Sequence, residues 1–390
     1  MAIEGRADGA GDGRIRLGMV GGGQGAFIGA VHRIAARMDD QYTLVAGALS
    51  SDPDRARASG EELGLAPDRI YVDFSKMASR ERRLKTGIEA VSIVTPNHMH
   101  FPIARAFLRA GIHVICDKPM VTSLREARAL RKIVEETGTI FALTHNYSGY
   151  PMIRQAREMV ANGDLGDIRV VQAEYPQDWL SEKLEDTGQK QASWRTDPAR
   201  SGAGGCVGDI GTHAYQLACF VSGLELESLC ADLTTFVDGR LLDDNVNVLM
   251  RFRGGARGML WASQVAPGNE NGLKLRVYGT KAGLEWKQED PNYLWYTPLG
   301  EPKRLITRGG AGSSDTAGRL TRVPPGHPEG YLEGFANIYS EAARAIKAAR
   351  TGAKPDPEVT FPTVADGVAG VAFIDATVRS SKRGGAWITL

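Results

Sequence analysis

The order of elements predicts a doubly wound parallel α/β domain over residues 14–146. An α+β domain over 147–390, with a large, mostly antiparallel open sheet, is predicted to follow it. Three observations carry this reading. Short apolar runs alternate with helical patterns as far as residue 146. Beyond it, strand-like runs succeed one another without helices between them. The chain, at 390 residues, also exceeds the roughly 250–300 at which single cores stop growing.

Taken in order, Ile15–Val20 reads as a buried parallel strand that ends at a glycine cluster. A helical pattern through Val31, Ile34 and Ala35 follows it. Tyr42–Leu49 reads as a second strand, and Asp52–Leu63 as a helix opened by Asp-Pro. Ile70–Val72 reads as a short third strand and Ala90–Val94 as a fourth, closed by Thr95-Pro96. After a helix over Pro102–Ala110, His113–Cys116 reads as the fifth strand, closed by Lys118-Pro119. A helix over Leu124–Glu136 and the strand Ile140–Leu143 complete the alternation. In the second half, Met152–Ala161 and Asp209–Val221 read as helices, separated by the strand Ile168–Tyr175 and a long polar stretch. Strand-like runs at Leu229–Phe236, Asn245–Phe252, Ala256–Gln264, Leu273–Gly279 and Leu284–Gln288 follow. Arg304–Pro328 reads as an extended loop, and two helices, Tyr331–Arg350 and Thr363–Ser380, close the sequence.

Composition removes several classes of function. A formal net charge of +1 argues against nucleic acid or an anionic membrane as partner. Four cysteines (Cys116, Cys206, Cys219 and Cys230) lack CxxC spacing, which argues for reduced thiols and against a disulfide framework or a metal site. No run reaches the ~18–20 apolar residues of a membrane span. Residues 1–13 have no apolar h-region and are expected to be a frayed tail rather than a signal peptide, which points to a cytoplasmic protein.

The glycine cluster is the first sign of chemistry. A pyrophosphate needs backbone N–H groups and a helix N-terminus close by, and Gly21, Gly22 and Gly23 remove the Cβ atoms that would block both. Gln24, Phe27 and Ile28 lie on the same turn. The third glycine of G-x-G-x-x-G is ambiguous, because Gly29 comes about three residues late. At the end of the second strand, Ser50 and Ser51 stand where an acid would accept from the ribose 2′-hydroxyl of NAD. Asp52 is expected to cap a helix instead, and Arg55 and Arg57 would tolerate a 2′-phosphate. The expected cofactor is therefore NAD or NADP.

Three further segments complete a pattern: Thr95-Pro96-Asn97-His98-Met99-His100, Asp117-Lys118-Pro119, and Gly208-Asp209-Ile210-Gly211-Thr212-His213. With the glycine turn they resemble the glucose–fructose oxidoreductase/inositol dehydrogenase (Gfo/Idh/MocA) family, over most of the chain from about Arg14 onward. The resemblance implies a Rossmann domain, oxidation of a secondary hydroxyl of a sugar, anhydrosugar or cyclitol, and homo-oligomer contacts (dimer or tetramer) through the second sheet. By resemblance, Lys118 matches the family's Glu-Lys-Pro lysine, with Asp117 in place of the glutamate. Asp209 and His213 match its aspartate–histidine pair, and Thr95, Pro96, Asn97 and His100 match the segment along the nicotinamide.

The chemistry of these side chains agrees with that implication. Oxidising a carbinol requires taking up its hydroxyl proton, and histidine titrates nearest neutrality. Asp209 and His213, four apart on a helix, would share a face. Lys118, at the C-terminal end of a strand, would stabilise a developing alkoxide or exchange the proton-accepting role with His213. Asn146, Tyr147, Trp194, Arg195 and His327 are the candidate substrate contacts, with Gly202–Gly205 allowing close approach to the backbone. Asp243-Asp244 reads as a solvated hairpin turn. Two other functions fit the same cofactor domain: a glycosidase that uses tightly held NAD for transient oxidation, and a non-catalytic nucleotide sensor.

Overall fold

The computed structural model describes residues 13–390, so the expected tail lies almost wholly outside the described residues. The first half builds β1 (Ile15–Gly21), α1 (Phe27–Met38), β2 (Tyr42–Ala48), α2 (Pro53–Glu62) and α3 (Phe74–Glu81). It continues with β3 (Ala90–Val94), α4 (His100–Arg109), β4 (His113–Cys116), α5 (Leu124–Thr137) and β5 (Phe141–Leu143). The strands form one parallel sheet in the order β2-β1-β3-β4-β5. The sheet order reverses beside β1, so β1 and β3 open a crevice at their carboxyl ends.

One expected strand is missing. Of residues 70–72 only Ile70 pairs, as an isolated bridge to Gly47. The Asp73 side chain accepts from the N–H groups of Ser75 and Lys76 and starts α3, which turns the chain out of the sheet.

The second half contains α6 (Pro151–Ala161), β6 (Ile168–Pro176), α7 (Lys190–Arg195), α8 (Pro198–Ser201) and α9 (Thr212–Ser222). Strands β7 (Leu226–Thr234), β8 (Asn245–Phe252), β9 (Arg257–Ser263), β10 (Lys274–Gly279) and β11 (Ala282–Lys287) follow. Next come β12 (Tyr293–Pro298), β13 (Arg304–Thr307), α10 (Asp315–Arg319), α11 (Tyr331–Arg350), α12 (Val364–Ser381) and β14 (Ile388–Thr389). The nine strands form one sheet in the order β13-β12-β11-β10-β6-β9-β8-β7-β14. Every pair is antiparallel except β6–β9. Strands β12 and β13 extend the sheet through residues 293–307, so the expected loop at Arg304 opens as an edge strand.

Side-chain alternation decides how the large sheet is used. On β8, Val246, Val248, Met250 and Phe252 face a core shared with α6, α9 and α12, while Asn247, Leu249 and Arg251 face outward. The parallel sheet is covered on both faces. Ile103, Phe107, Leu130 and Ile133 of α4 and α5 pack on one side. On the other, Val31 and Ala35 of α1 meet Phe335, Tyr339 and Ile346 of α11, so a helix far beyond residue 146 closes the first core. Two ends of the chain thus fix the strand ends that carry the site. Among the described residues, no helix is long and apolar enough to cross a membrane.

Candidate active site

A cleft of about 1100 Å³ runs from the glycine turn to the junction of the two sheets. At one end β1 delivers Gly21 and Gly22, both at positive φ (82° and 74°), and α1 begins at Phe27. A Cβ on Gly22 would lie 2.9 Å from the Cα of Gly29, and one on Gly23 would lie 2.7 Å from the carbonyl oxygen of Leu49. Gly29 is therefore the packing glycine of this turn, three residues later than the usual spacing, because it is here that α1 touches the strand end. Gln24 lines the cleft, its N–H donating to Ser59 Oγ (3.1 Å) and its amide to Glu62 (2.9 Å). Phe27, 67% exposed, and Ile28 line the mouth.

This cradle predicts a sharp sensitivity. A Cβ on Gly29 would come within 2.4 Å of Gly22 Cα and 2.5 Å of its carbonyl oxygen, so α1 would have to retreat from the turn. Gly29→Ala is expected to cost about 1–3 kcal/mol of stability through overpacking and to weaken NADH binding about tenfold or more. Urea melts and calorimetric titration of NADH check this; wild-type values in both would refute the packing role.

Where β2 ends, Ser50, Ser51 and Arg55 line the cleft, whereas Asp52 caps α2 by accepting from the Arg55 N–H at 2.8 Å. On the β3 side Thr95, Pro96 and Asn97 line it too, and the Asn97 amide donates to Ser201 O at 3.1 Å, fastening the two halves together. His100 does not reach the cleft. Its ring is buried, with Nδ1 and Nε2 each 2.8 Å from a backbone carbonyl, those of Pro119 and Thr95. It ties the two strand-end loops together, which corrects its expected place among the cofactor contacts, and His98 lines the cleft instead.

At the far end three segments converge. The Lys118 ammonium, at the end of β4, donates to Asp209 Oδ1 at 2.8 Å and also to the Asp209 carbonyl. Asp209 Oδ2 accepts from Arg195 Nε (3.2 Å) and from the Gln264 amide (3.0 Å). Asp117 lines the cleft beside it, its Oδ1 accepting from the Lys118 N–H and from Thr144 Oγ1, both at 3.0 Å. The shorter acid thus holds the lysine's backbone. Asp209 lies on a π turn over residues 207–211 that leads into α9, where His213 follows. A wider turn replaces the regular helix expected between them.

The electrostatics separate the roles of these groups. Burial alone would raise the Asp209 pKa, but Lys118 and Arg195 more than offset it and hold the carboxyl far below its ordinary range. His213 is 7% exposed, its Nδ1 without a hydrogen-bond partner. Burial first, then Lys118 and His145, push its pKa well below the ordinary value, so at neutral pH the ring is uncharged and keeps a free lone pair. His145 packs edge-on against it at 5.3 Å, and Tyr147 at 4.9 Å between ring centroids. Burial, then the charge of Lys118, drives the His145 pKa down to about 3.

Of the expected substrate contacts, Asn146, Tyr147, Trp194 and Arg195 line the cleft, and Arg195 stacks over the Trp194 ring at 4.3 Å. The Asn146 amide nitrogen is buried without a partner. His327 lies elsewhere: it is exposed, and its carbonyl accepts from Arg308 in a loop that this arginine pins with Glu329. That corrects its assignment: Arg308 holds the loop, and His327 does not line the cleft. Gly202–Gly205 do not line the cleft either, and a Cβ on Gly205 would meet the Asp243 carbonyl oxygen at 2.3 Å. Asp243 and Asp244 are buried rather than solvated. Asp243 accepts from Gly205 N (2.6 Å) and Val207 N (2.8 Å), fixing where the π turn begins.

Residues with no local signature complete the pocket. Tyr175 and Gln177, at and beyond the end of β6, share Asn271 Oδ1 at 2.7 and 2.8 Å, and Tyr147 OH meets Tyr175 OH at 2.5 Å. Trp179 also lines the cleft.

Residues 15–145 match the family model described as an oxidoreductase family with an NAD-binding Rossmann fold, and residues 153–285 match the Gfo/Idh/MocA C-terminal domain. An oxidoreductase of Sinorhizobium meliloti, solved as a crystal structure, is 64% identical, with a TM-score of 0.88 over 96% of this chain and 99% of that one. The chain belongs to the Gfo/Idh/MocA oxidoreductase family.

Other Gfo/Idh/MocA proteins resemble it over similar spans. An inositol dehydrogenase homolog of Azotobacter vinelandii, solved with NADH and myo-inositol, is 38% identical with a TM-score of 0.90, covering 97% of this chain and 98% of that one. Levoglucosan dehydrogenase of Pseudarthrobacter phenanthrenivorans is 27% identical over 96% of this chain and 97% of its own length. The glycine cradle in this Gfo/Idh/MocA chain has the room and the backbone approach that an NAD pyrophosphate requires, and its first half is an NAD-binding Rossmann domain.

Proposed function

We propose that the protein is an NAD-dependent dehydrogenase that oxidises a secondary hydroxyl of a sugar, anhydrosugar or inositol. The observation that carries this reading is the cluster of Lys118, Asp209 and His213 at one end of a cleft whose other end is the glycine cradle. The substrates named for the inositol and levoglucosan dehydrogenase relatives support it. So does the wall of Asn146, Tyr147, Tyr175, Gln177 and Asn271, whose neutral donors and acceptors suit a polyhydroxyl ligand.

When bound, NAD+ supplies the acceptor for the carbinol hydrogen and its electron pair. His213 takes the hydroxyl proton, because of the two uncharged histidines at this end it is the one that lines the cleft. Both Asp209 oxygens are spent on Lys118, Arg195 and Gln264. Burial holds Tyr147 and Tyr175 protonated. Lys118, paired with Asp209, donates to the oxygen and stabilises it as it loses its proton. The products are a carbonyl compound, NADH and a proton.

Steady-state formation of NADH with a panel of polyols and sugars tests the reading. Turnover with an inositol or an anhydrosugar is expected. Cofactor binding with no turnover on any polyol would overturn it.

We also propose a homo-oligomer through the outer face of the nine-stranded sheet. There Leu249 and Met259 are paired across β8 and β9 and are 52% and 44% exposed, with Tyr278 at 42% and Leu305 at 43%. Leu249→Asp with Met259→Asp is expected to shift the sedimentation coefficient to that of a monomer without unfolding the protein. An unchanged assembly in the double variant would move the interface elsewhere.

A further inference from the structure

Residues 177–205 cross the cleft between β6 and the turn before α9. The stretch is fastened near both ends. Arg240, itself buried, donates to the carbonyls of Leu180 (2.9 Å) and Glu182 (3.0 Å) and to the Glu185 carboxylate (2.9 Å). Near the other end Ser201 O accepts from Asn97.

Between these anchors lies α7, capped by the Gln189 side chain, and it touches both ends of the cleft. Its last residue, Arg195, holds Asp209, with Trp194 stacked beneath the guanidinium. Its first residue, Lys190, lines the cleft at the glycine turn, where Nζ donates to the Gly25 carbonyl at 3.4 Å. That is a long bond for an exposed ammonium, and among the described residues Lys190 makes no ion pair. Lys118 and Arg195 are both committed to Asp209.

A dinucleotide brings two phosphate charges to this turn. The cradle supplies backbone N–H groups and the start of α1, whose first turn carries no charged side chain of its own beside the turn. Arg33, further along α1, is taken up by the Gly22 carbonyl at 2.7 Å. A flexible ammonium within reach of Gly25 is the group that such a dianion would attract.

We infer that Lys190 is a ligand of the NAD pyrophosphate, supplied by the crossing segment rather than by the Rossmann domain. It exchanges its weak bond to Gly25 for a phosphate oxygen. Bound cofactor thereby pins α7, and with it Trp194 and Arg195 at the reacting end. The inference rests on NAD as the cofactor and is independent of which polyol is oxidised.

Calorimetric titration of Lys190→Met and Lys190→Arg with NADH, ADP-ribose and adenosine tests this. For Lys190→Met the dissociation constants of NADH and ADP-ribose are expected to rise roughly three- to tenfold at low salt, an exposed charge-assisted bond being worth about that much. Adenosine, which has no phosphate, should bind as to the wild type, and Lys190→Arg should restore most of the affinity. Hydrogen exchange over residues 184–200 should slow with NADH in the wild type and much less in Lys190→Met. Wild-type NADH affinity in Lys190→Met overturns the inference. So does an equal loss for adenosine, which would mark general damage to the cradle.

Discussion

Replacing His213 by glutamine is expected to lower kcat by about 10²–10⁴-fold, the usual contribution of a positioned proton acceptor. Glutamine keeps a polar group among the rings of Tyr147, Tyr175 and His145, so packing is largely retained and NADH affinity should not change. The pH profile supplies the sharper half of the prediction. A base must be unprotonated to act, and burial together with Lys118 and His145 holds the His213 pKa well below 6.5. The wild-type kcat/KM should therefore stay level down through pH 6.5 and fall only in more acid solution. That acid limb should be absent from the residual activity of His213→Gln. A variant with near-normal kcat, or one that keeps the limb, would assign the proton to Lys118.

Asp209→Asn is expected to have the second large effect, on stability as well as on rate. The carboxylate is the shared counterion of Lys118 and Arg195, whose side chains are only 13% and 26% exposed. The amide leaves both cations without an anion at their distances of 2.8 and 3.2 Å. Removing one partner of a buried pair costs about 3–5 kcal/mol, and the residual exposure places this case near 3. The sign of the pH dependence follows from the depressed carboxyl. Its stabilisation is complete above the unfolded value of 3.8 and is withdrawn as pH falls below it toward the much lower folded value. The wild type should therefore lose its advantage over Asp209→Asn in urea melts only below about pH 4. A difference that vanishes already between pH 7 and 5 would place the stabilisation in another group.

The sequence made the first half legible because its signals are local. The apolar run Ile15–Val20 feeding three glycines requires no tertiary information, and neither does the Asp52 cap. Residues 70–72 have a strand's composition, yet Asp73 caps a helix immediately afterwards and leaves Val72 44% exposed. The Asp73 cap outweighs the short apolar run. Strands β12 and β13 lie at the sheet edge, where the polar and glycine-rich neighbours that mark a loop are tolerated equally well.

The site divides in the same way. Lys118, Asp209 and His213 stand at element ends, where motif and chemistry coincide. Tyr175, Gln177 and Asn271 become neighbours only because β6 and the turn before β10 converge, and no spacing along the chain records that. His100 and His327 share histidine's chemical promise, but the first spends its ring on two backbone carbonyls and the second sits on a pinned loop. Resemblance proposed the first and residue type the second, and their hydrogen-bond partners decided against both.

On the proposed mechanism, carbon-bound hydrogen of a polyol is delivered, net, to the nicotinamide at the Lys118–Asp209–His213 end of the cleft. A polyol that turns over, labelled with deuterium at the oxidised carbinol carbon, tests this when the cofactor is recovered and weighed. One deuterium in each molecule of NADH, with a matching yield of carbonyl product, is the predicted result. Unlabelled cofactor with no net reduction, accompanied by free sugar released from a glycoside, would contradict it.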